Sequence, residues 1–285
     1  MFVANDLIYL ELQKTGGSHI RRLLSDYLEG HLSGKHNRLA REDTGKFVIG
    51  SIRNPWDWYV SLWAYGVGGE GAVRDRCARR IDPGYYHRVL PKDLGKNWLT
   101  PGELMTCVYH DAIKPVHRWR HLYGNSSDPD LFRAWLKLLL GRKNRFDMGE
   151  GYGFSPLSRS AGLLTYRYIR LYASTRSDNR IFTDRRLLDQ DGIAEYDHEF
   201  NITRGMIKTE SLEEDLISVI AAAGYRLTDE QVAGIRRSRS GKTNVSVRKS
   251  ANYYYDQETI ALVSDRDRHL IVKYNYEPPV TQSGS

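Results

Sequence analysis

Leu12-Gln13-Lys14-Thr15-Gly16-Gly17-Ser18-His19 lies between the apolar run Leu7-Ile8-Tyr9-Leu10 and apolar residues at helical spacing, Ile20, Leu23, Leu24 and Leu28. This order predicts a strand over 7–12, a loop, and a helix over 17–29. Adjacent glycines let backbone N–H groups converge on an anion, and the N-terminus of a helix adds partial positive charge. We therefore expect a phosphate-binding loop between the strand and the helix.

The side chains of this loop suit a phosphate-like group but not magnesium-bound ATP. Lys14 supplies a full positive charge, while Thr15 and Ser18 supply hydroxyl donors. In a Walker A loop the lysine comes after the glycines. Here Lys14 comes before Gly16 and Gly17, so the sequence predicts an anion site of another type.

A second apolar run, Phe47–Ile52, is followed by Arg53-Asn54-Pro55. Because proline suits the first turn of a helix, we predict a strand over 47–52 and a helix over 55–65. Arg53 would then lie at the C-terminal end of the strand, and Ser61 two turns into the helix. A guanidinium binds phosphate oxygens through two parallel hydrogen bonds. Arg53 and Ser61 are therefore candidates for holding one phosphate.

These two blocks resemble the sulfotransferases that use 3′-phosphoadenosine 5′-phosphosulfate (PAPS). In that family a Pro-Lys-Thr-Gly-Gly-type loop after the first strand binds the 5′-phosphosulfate. An arginine at the end of a later strand and a serine eight residues further on bind the 3′-phosphate, and Arg53 and Ser61 have this spacing. Two positions depart from the pattern: Gln13 replaces the usual proline, and Trp58 stands where many members have an arginine.

The resemblance covers roughly residues 7–66 and 199–277, and it implies a set of donor-binding residues. Residues 207–216 resemble the family's late strand-plus-helix segment, and residues 242–246 resemble its C-terminal loop over the nucleotide. The residues implied to bind the donor are Lys14, Thr15, Gly16, Gly17, Ser18, His19, Arg53, Ser61, Lys242, Thr243 and Asn244. For His19, a helix-capping or packing role is an equal alternative.

The resemblance also implies how transfer would be catalysed. Sulfuryl transfer is similar to phosphoryl transfer, so positioning and electrostatics carry most of the catalysis. Lys14 is implied to stabilise the negative charge that develops on the bridging oxygen as the 5′-phosphate leaves. The product would be 3′-phosphoadenosine 5′-phosphate (PAP). No metal is expected, because the histidines lack the H-E-x-x-H pattern and the two cysteines lack C-x-x-C.

A hydroxyl acceptor needs a general base, usually a histidine or a carboxylate. His36 lies in the loop ahead of the Arg53 strand, where related sulfotransferases carry a base histidine. His31 is the substitute, and a histidine or carboxylate from 67–198 is the third option. His36 could equally be an exposed loop histidine without a role in catalysis.

The chain length of 285 residues suits one large domain over 1–280, with 281–285 as a disordered tail. Strands alternating with helices predict the α/β class, with three layers and a mostly parallel central sheet flanked by helices. Residues 67–198 match no family pattern and are expected to form a largely helical insertion on the acceptor side. Ligands of such sheets bind at the C-terminal ends of strands, where Lys14 and Arg53 are expected.

The net charge of +7 suits an anionic donor and an anionic acceptor. Arginines at 74, 76, 79 and 80 form either a basic lid on the acceptor side or a solvated helix face. No nucleic-acid-binding signature accompanies the charge, so nucleic acid is not an expected partner. No apolar run approaches the ~20 residues of a membrane span. We therefore expect no membrane span and a cytoplasmic location.

The sequence thus predicts a PAPS-dependent sulfotransferase that acts on a hydroxyl acceptor, with carbohydrates as one class of acceptor. A nucleotide-dependent phosphotransferase is an alternative, disfavoured because Walker A spacing and a strand-end aspartate for magnesium are both lacking. A catalytically silent PAP-binding protein of the same fold is the other alternative, because a fold does not determine an activity.

Overall fold

The computed structural model describes residues 1–80, 83–175, 178–238 and 248–280, with Arg41 described by its backbone alone. The chain divides into two compact units. The unit that holds the β-sheet, here called the sheet unit, consists of Met1–Asn54, Arg167–Ser177 and Asp197–Val245. The other, here called the helical unit, consists of Pro55–Tyr166, Asp178–Tyr196 and Ser246–Ser285. The single-domain organisation stays a prediction.

A five-stranded mixed sheet organises the sheet unit. In chain order its strands are β1 Phe2–Val3, β2 Leu7–Tyr9, β3 His31–Leu32, β4 Phe47–Ile52 and β5 Gly205–Lys208. Their spatial order is β3-β1-β2-β4-β5. β1 is antiparallel to β2 and β3, whereas β4 is parallel to both β2 and β5. The predicted α/β class is confirmed, and the C-terminal ends of β2, β4 and β5 meet at one sheet edge.

Helices make up most of the remaining regular structure. In chain order they are α1 Gly17–Tyr27, α2 Pro55–Val67, α3 Ala72–Cys77, α4 Pro83–Arg88, α5 Leu90–Asp93, α6 Pro101–Ile113, α7 Val116–Leu122, α8 Pro129–Leu140, α9 Leu157–Ser160, α10 Leu163–Tyr172, α11 Gln190–Phe200, α12 Leu212–Ala222, α13 Asp229–Arg237, α14 Ala251–Tyr254, α15 Gln257–Arg266 and α16 Arg268–Tyr274. α3 to α10 lie within 67–198, the stretch predicted to be largely helical, and α11 begins there.

The strand and helix around the first loop form where the sequence predicts them, with shorter bounds. The predicted strand over 7–12 ends at Tyr9, although the Leu10 N–H still donates to the Ile49 carbonyl at 2.9 Å. The predicted helix over 17–29 ends at Tyr27, because Leu28 turns extended, with φ −125° and ψ 143°. The strand over 47–52 has the predicted bounds.

Two short strands were not predicted. β1 and β3 have two residues each, too few to show an alternating pattern, and β3 lies between the predicted helix over 17–29 and the predicted strand over 47–52. Pairing creates them, since Phe2 pairs with both Tyr9 and Leu32. β1 and β3 lie on the side of β2 that faces away from β4. The loops of the candidate site follow the C-terminal ends of the parallel strands β2, β4 and β5.

α1 and α12 pack on the sheet through one buried apolar cluster. It includes Ile20, Leu23 and Leu24 of α1, Ile49 and Ile207 of the sheet, and Leu212, Leu216 and Ile220 of α12. α12 ends at a glycine C-cap: Gly224 has φ +89°, and the Tyr225 N–H donates back to the Ile220 carbonyl at 3.2 Å. This packing holds the N-terminus of α1 beside the C-terminal ends of β2 and β4.

The helical unit contains a helix start that the sequence analysis missed. α6 begins with a capping box, in which the Thr100 side chain accepts from the Glu103 N–H and the Glu103 carboxylate accepts from the Thr100 N–H. The signal was present as Thr-Pro-x-Glu, a capping residue followed by proline at the first helical position. Reciprocal capping satisfies backbone donors that would otherwise lack partners, so it starts the helix at Pro101.

Candidate functional site

The loop between β2 and α1 has the backbone geometry of an anion site. Lys14 and Gly16 have φ +64° and φ +78°, both in the left-handed region, and they alternate with residues of negative φ. Such alternation turns successive N–H groups toward one point, forming a concave nest for anions. Gly16 is also the N-cap of α1, and the first turn of that helix contains no acidic residue.

Close packing requires both glycines of the loop, and at Gly16 the left-handed conformation requires one as well. A Cβ on Gly16 would lie 2.9 Å from Cδ1 of Leu212. A Cβ on Gly17 would lie 2.4 Å from Cγ and from Oε1 of Glu11. Since real Cβ contacts of this length do not occur, larger residues would force the loop away from α12 or from Glu11.

The Thr15 hydroxyl is held inside the sheet unit. Its single proton is donated to the Leu12 carbonyl at 2.7 Å, so its 2.6 Å contact with Ser51 Oγ requires Ser51 to donate. Tyr9 must then donate its phenolic proton to Ser51, at 2.8 Å. Thr15, Ser51 and Tyr9 are completely buried, and burial raises the pKa of Tyr9 well above its ordinary value. The Thr15 side chain therefore stabilises the loop, and only its backbone N–H is suited to meet a ligand.

Thr15→Val should destabilise the protein by about 2 kcal/mol or more, because the Leu12 carbonyl loses its donor and Ser51 loses its acceptor in a buried place. Thr15→Ser is the matched control: it keeps the hydroxyl and loses one methyl group, which costs about 1 kcal/mol. Urea unfolding of the two variants measures the difference. Equal destabilisation by both substitutions would argue against the hydrogen-bonded chain.

Arg53 brings the two sequence blocks together. It follows the last residue of β4, and its Nη1 donates to the Lys14 carbonyl at 3.2 Å. The bond joins the strand-end arginine to the loop, as expected for loops at neighbouring ends of parallel strands. Two cationic residues, Lys14 and Arg53, therefore lie at the same edge of the sheet.

A third loop, which the sequence analysis did not assign to the site, lies at the same edge. The Thr209 hydroxyl donates to the Ile52 carbonyl at 3.0 Å, and the Asn54 N–H donates to Oε1 of Glu210 at 2.8 Å. Thr209 and Glu210 directly follow Lys208, the last residue of β5. The available signal was the apolar run Met206-Ile207 that ends there, because β5 joins β4 in parallel and delivers its loop to this edge.

His36 lies beside the loop. Its Nδ1 is 2.9 Å from the Glu11 carbonyl oxygen, and this contact requires Nδ1 to carry the proton, because a carbonyl only accepts. Neutral His36 then has its lone pair on Nε2, which is the nitrogen able to accept a proton. The residue itself has φ +56° and an exposed side chain. His31, by contrast, lies on β3 opposite Val3, with an exposed side chain.

Glu11 was not predicted from the sequence, yet it shapes the loop. Its carboxylate is buried, with Oε2 3.0 Å from Nε of Arg21. The same side chain packs against the Cα of Gly17 at the start of α1. Arg21 compensates a negative charge that would otherwise oppose an anion at this helix N-terminus. The spacing of Glu11 and Arg21 in the sequence does not predict their ion pair, because the fold of the loop and α1 brings them together.

His19 and Ser18 occupy the first turn of α1 in different ways. Ser18 is exposed. His19 is directed toward the later helices, with Nε2 3.5 Å from Oε1 of Glu213 and 3.3 Å from Oγ of Ser238. Its Nδ1 lies 3.2 Å from Nη2 of Arg22. These contacts favour the packing alternative for the His19 side chain.

For the remaining predicted residues, a position beside the loop stays a prediction. Ser61 lies buried on α2, in the helical unit, so its pairing with Arg53 stays a prediction. Lys242, Thr243 and Asn244 fall in 239–247, outside the described residues, as does the predicted tail 281–285.

Comparison with family models, curated proteins and solved structures finds no match. Within the described residues, no group of three or more His, Cys, Asp or Glu side chains is arranged to hold a metal ion. The same residues contain no helix that is both long and apolar enough to cross a membrane.

Proposed function

We propose that this chain is a sulfotransferase that takes its sulfuryl group from PAPS and delivers it to a hydroxyl acceptor. The observation that carries the proposal is the hydrogen bond from Arg53 to the Lys14 carbonyl. It unites the two blocks that resemble the PAPS-dependent family at one edge of a sheet. The proposal includes the three-layer, mostly parallel arrangement of that family, built around β2, β4 and β5.

The donor groups at this edge fit a dianionic phosphate and sulfate ligand. Lys14 and Arg53 contribute two positive charges, and the left-handed residues of the loop turn backbone N–H groups inward. Backbone N–H groups from Thr15 to Ser18 and the Lys14 ammonium would hold the 5′-phosphosulfate. Arg53 would hold the 3′-phosphate, and the proposal adds Ser61 and residues 242–244 to that binding set. PAPS, when bound, supplies the sulfuryl group.

Lys14 would act on the leaving group. Its ammonium would stabilise negative charge on the bridging oxygen, an effect that increases as the bond to sulfur breaks. Compensation of Glu11 by Arg21 supports this role, because it leaves the start of α1 with the partial positive charge of its dipole. A hydrogen bond from Arg53 to the Lys14 carbonyl holds the backbone from which the Lys14 side chain extends.

His36 would act on the acceptor. The Glu11 carbonyl holds Nδ1–H, which leaves Nε2 to accept the proton of the acceptor hydroxyl as its oxygen attacks. After transfer, the protonated imidazole would keep its Nδ1–H bond to the same carbonyl. This arrangement favours His36 over His31, whose ring makes no hydrogen bond within the part of the chain that the structure describes.

The first test concerns choice of nucleotide. PAP should raise the melting temperature strongly, and ADP much less, because ADP lacks the 3′-phosphate that Arg53 would bind. Stabilisation by a ligand follows RT ln(1 + [L]/Kd), about 2.7 kcal/mol at a hundredfold excess over Kd. Differential scanning fluorimetry with PAP, ADP and magnesium-ATP measures the order of the three shifts.

Each alternative function has its own outcome in that series. Equal shifts from PAP and ADP would remove the assignment of a 3′-phosphate site. A larger shift from magnesium-ATP would favour the phosphotransferase. A strong PAP shift without turnover of any hydroxyl acceptor, carbohydrates included, would favour the catalytically silent binding protein.

A further inference from the structure

The helical unit contains a basic groove far along the chain from the phosphate loop. It has a volume of about 500 Å³, and its lining includes Arg80, Lys114, Val116, His117, Arg118 and Arg120. This volume lies within the ~300–1,000 Å³ range of ligand sites in proteins. Most such sites are apolar, whereas the side chains here are mainly cationic, so an anionic ligand is the matching chemistry.

Lys114 builds the floor of the groove. Its side chain is 1% exposed, and Nζ donates to the carbonyls of Arg76 and Arg79 at 3.1 and 3.2 Å. It also pairs with Oδ1 of Asp111 at 2.7 Å. Lys114 therefore joins the end of α3 to the segment between α6 and α7, and Asp111 compensates its charge.

A second bond secures the same backbone. Nε of Arg120 donates to the Ala78 carbonyl at 2.8 Å. The backbone over 76–79, which leads directly to Arg80, is thus held from both ends of the segment 114–120. Fixing this backbone sets where Arg80 emerges relative to α7, which reduces the ordering cost when a ligand binds.

Arginines supply the exposed charge of the groove, and Arg80 also interacts electrostatically with the buried carboxylate of Asp147. The side chains of Arg80, Arg118 and Arg120 are exposed, as is that of His117. None of the lining residues is acidic. Among the residues that the structure describes, neither Arg80 nor Arg118 has a carboxylate within ion-pair distance. Guanidinium groups bind carboxylate and sulfate through two parallel hydrogen bonds, which makes them well suited to both.

We propose that this groove binds an acidic polysaccharide, a sugar chain that carries carboxylate or sulfate groups. Nucleic acid fits less well, because single strands are held by large aromatic side chains stacked on bases, and no Phe, Tyr or Trp is among the described residues that line the groove. The tryptophan of α7, Trp119, is fully buried and donates its indole N–H to Asp147 at 2.8 Å. The inference goes beyond the proposed function, since binding of the polysaccharide requires no PAPS.

The test is direct binding of a fluorescein-labelled heparin hexasaccharide, measured by anisotropy at about 50 mM salt, where electrostatic contacts are strong. Arg80→Glu/Arg118→Glu should weaken binding at least about tenfold, because two attractive contacts become repulsive. The salt dependence of the remaining affinity should be shallower. The control is Arg142→Glu/Arg185→Glu, which changes net charge equally at two exposed arginines outside the groove lining and should bind nearly as wild type.

Melting temperatures of both double variants check that each remains folded. Absence of heparin binding by the wild type would overturn the inference, as would equal losses in the two double variants. Tighter binding of a single-stranded DNA of matched charge, lost in the groove variant, would replace the polysaccharide by nucleic acid. The heparin and DNA binding measurements do not involve PAP, so the PAP melting series stays an independent test of the proposed function.

Discussion

Lys14→Ala is expected to reduce turnover about a hundredfold or more while changing PAP affinity much less. The ammonium interacts most strongly with the leaving oxygen when that oxygen is fully negative, and removal of comparable donors costs about 10²–10³ in rate. Lys14 already has φ +64°, so alanine, which also carries a Cβ, adds no new backbone strain. Turnover with saturating acceptor, read beside PAP titration, separates the two effects.

The matched control is Lys35→Ala, an exposed lysine of the same unit, which should leave turnover and PAP affinity near wild type. If Lys14→Ala lowered binding and turnover by the same factor, Lys14 would bind the donor equally in the ground and transition states. If neither changed, the loop would not be the donor site.

His36→Ala is expected to abolish most sulfuryl transfer while PAP affinity stays near wild type. The pH–rate profile should also lose its acidic limb, because that limb arises when the base becomes protonated as pH falls. Because His36 has φ +56°, a region that asparagine tolerates well, His36→Asn checks that any loss is not caused by backbone strain. Addition of imidazole should partly restore the rate of His36→Ala, an effect that a purely structural role would not produce.

His31→Ala is the control and should be nearly silent, since His31 lies on β3 and not beside the loop. An inactive His31→Ala together with an active His36→Ala would exchange the two roles. Retained activity in both variants would place the base elsewhere, in the stretch 67–198 or at a carboxylate.

Prediction from sequence worked best where local chemistry determines the backbone. Gly16 has φ +78°, a left-handed conformation that a glycine in a tight loop adopts without strain. The strand over 47–52 appears with its predicted bounds, because a continuous apolar run bounded by Arg-Asn-Pro leaves little choice of register. β1 and β3 could not be predicted, since two residues form a strand only when a neighbour supplies the pairing.

For the candidate site as well, some features could be predicted from the sequence and others could not. The sequence determined the residue types: a lysine and two glycines between a strand and a helix, and an arginine at the end of a second strand. It could not determine that Thr15 would direct its hydroxyl inward to the Leu12 carbonyl. The reason is that a hydroxyl suits a ligand and a buried carbonyl equally well, and only packing selects between them.

What the tertiary structure alone decided is which distant residues meet at the sheet edge. Parallel pairing of β2 with β4 brings Arg53 within hydrogen-bond distance of the Lys14 carbonyl. The return of the chain after α1 brings His36 within hydrogen-bond distance of the Glu11 carbonyl. Glu11 and Arg21 pair across the loop for the same reason. Sequence separation carries no information about such contacts, because sheet register and helix packing, and not local propensity, determine the distances between these atoms.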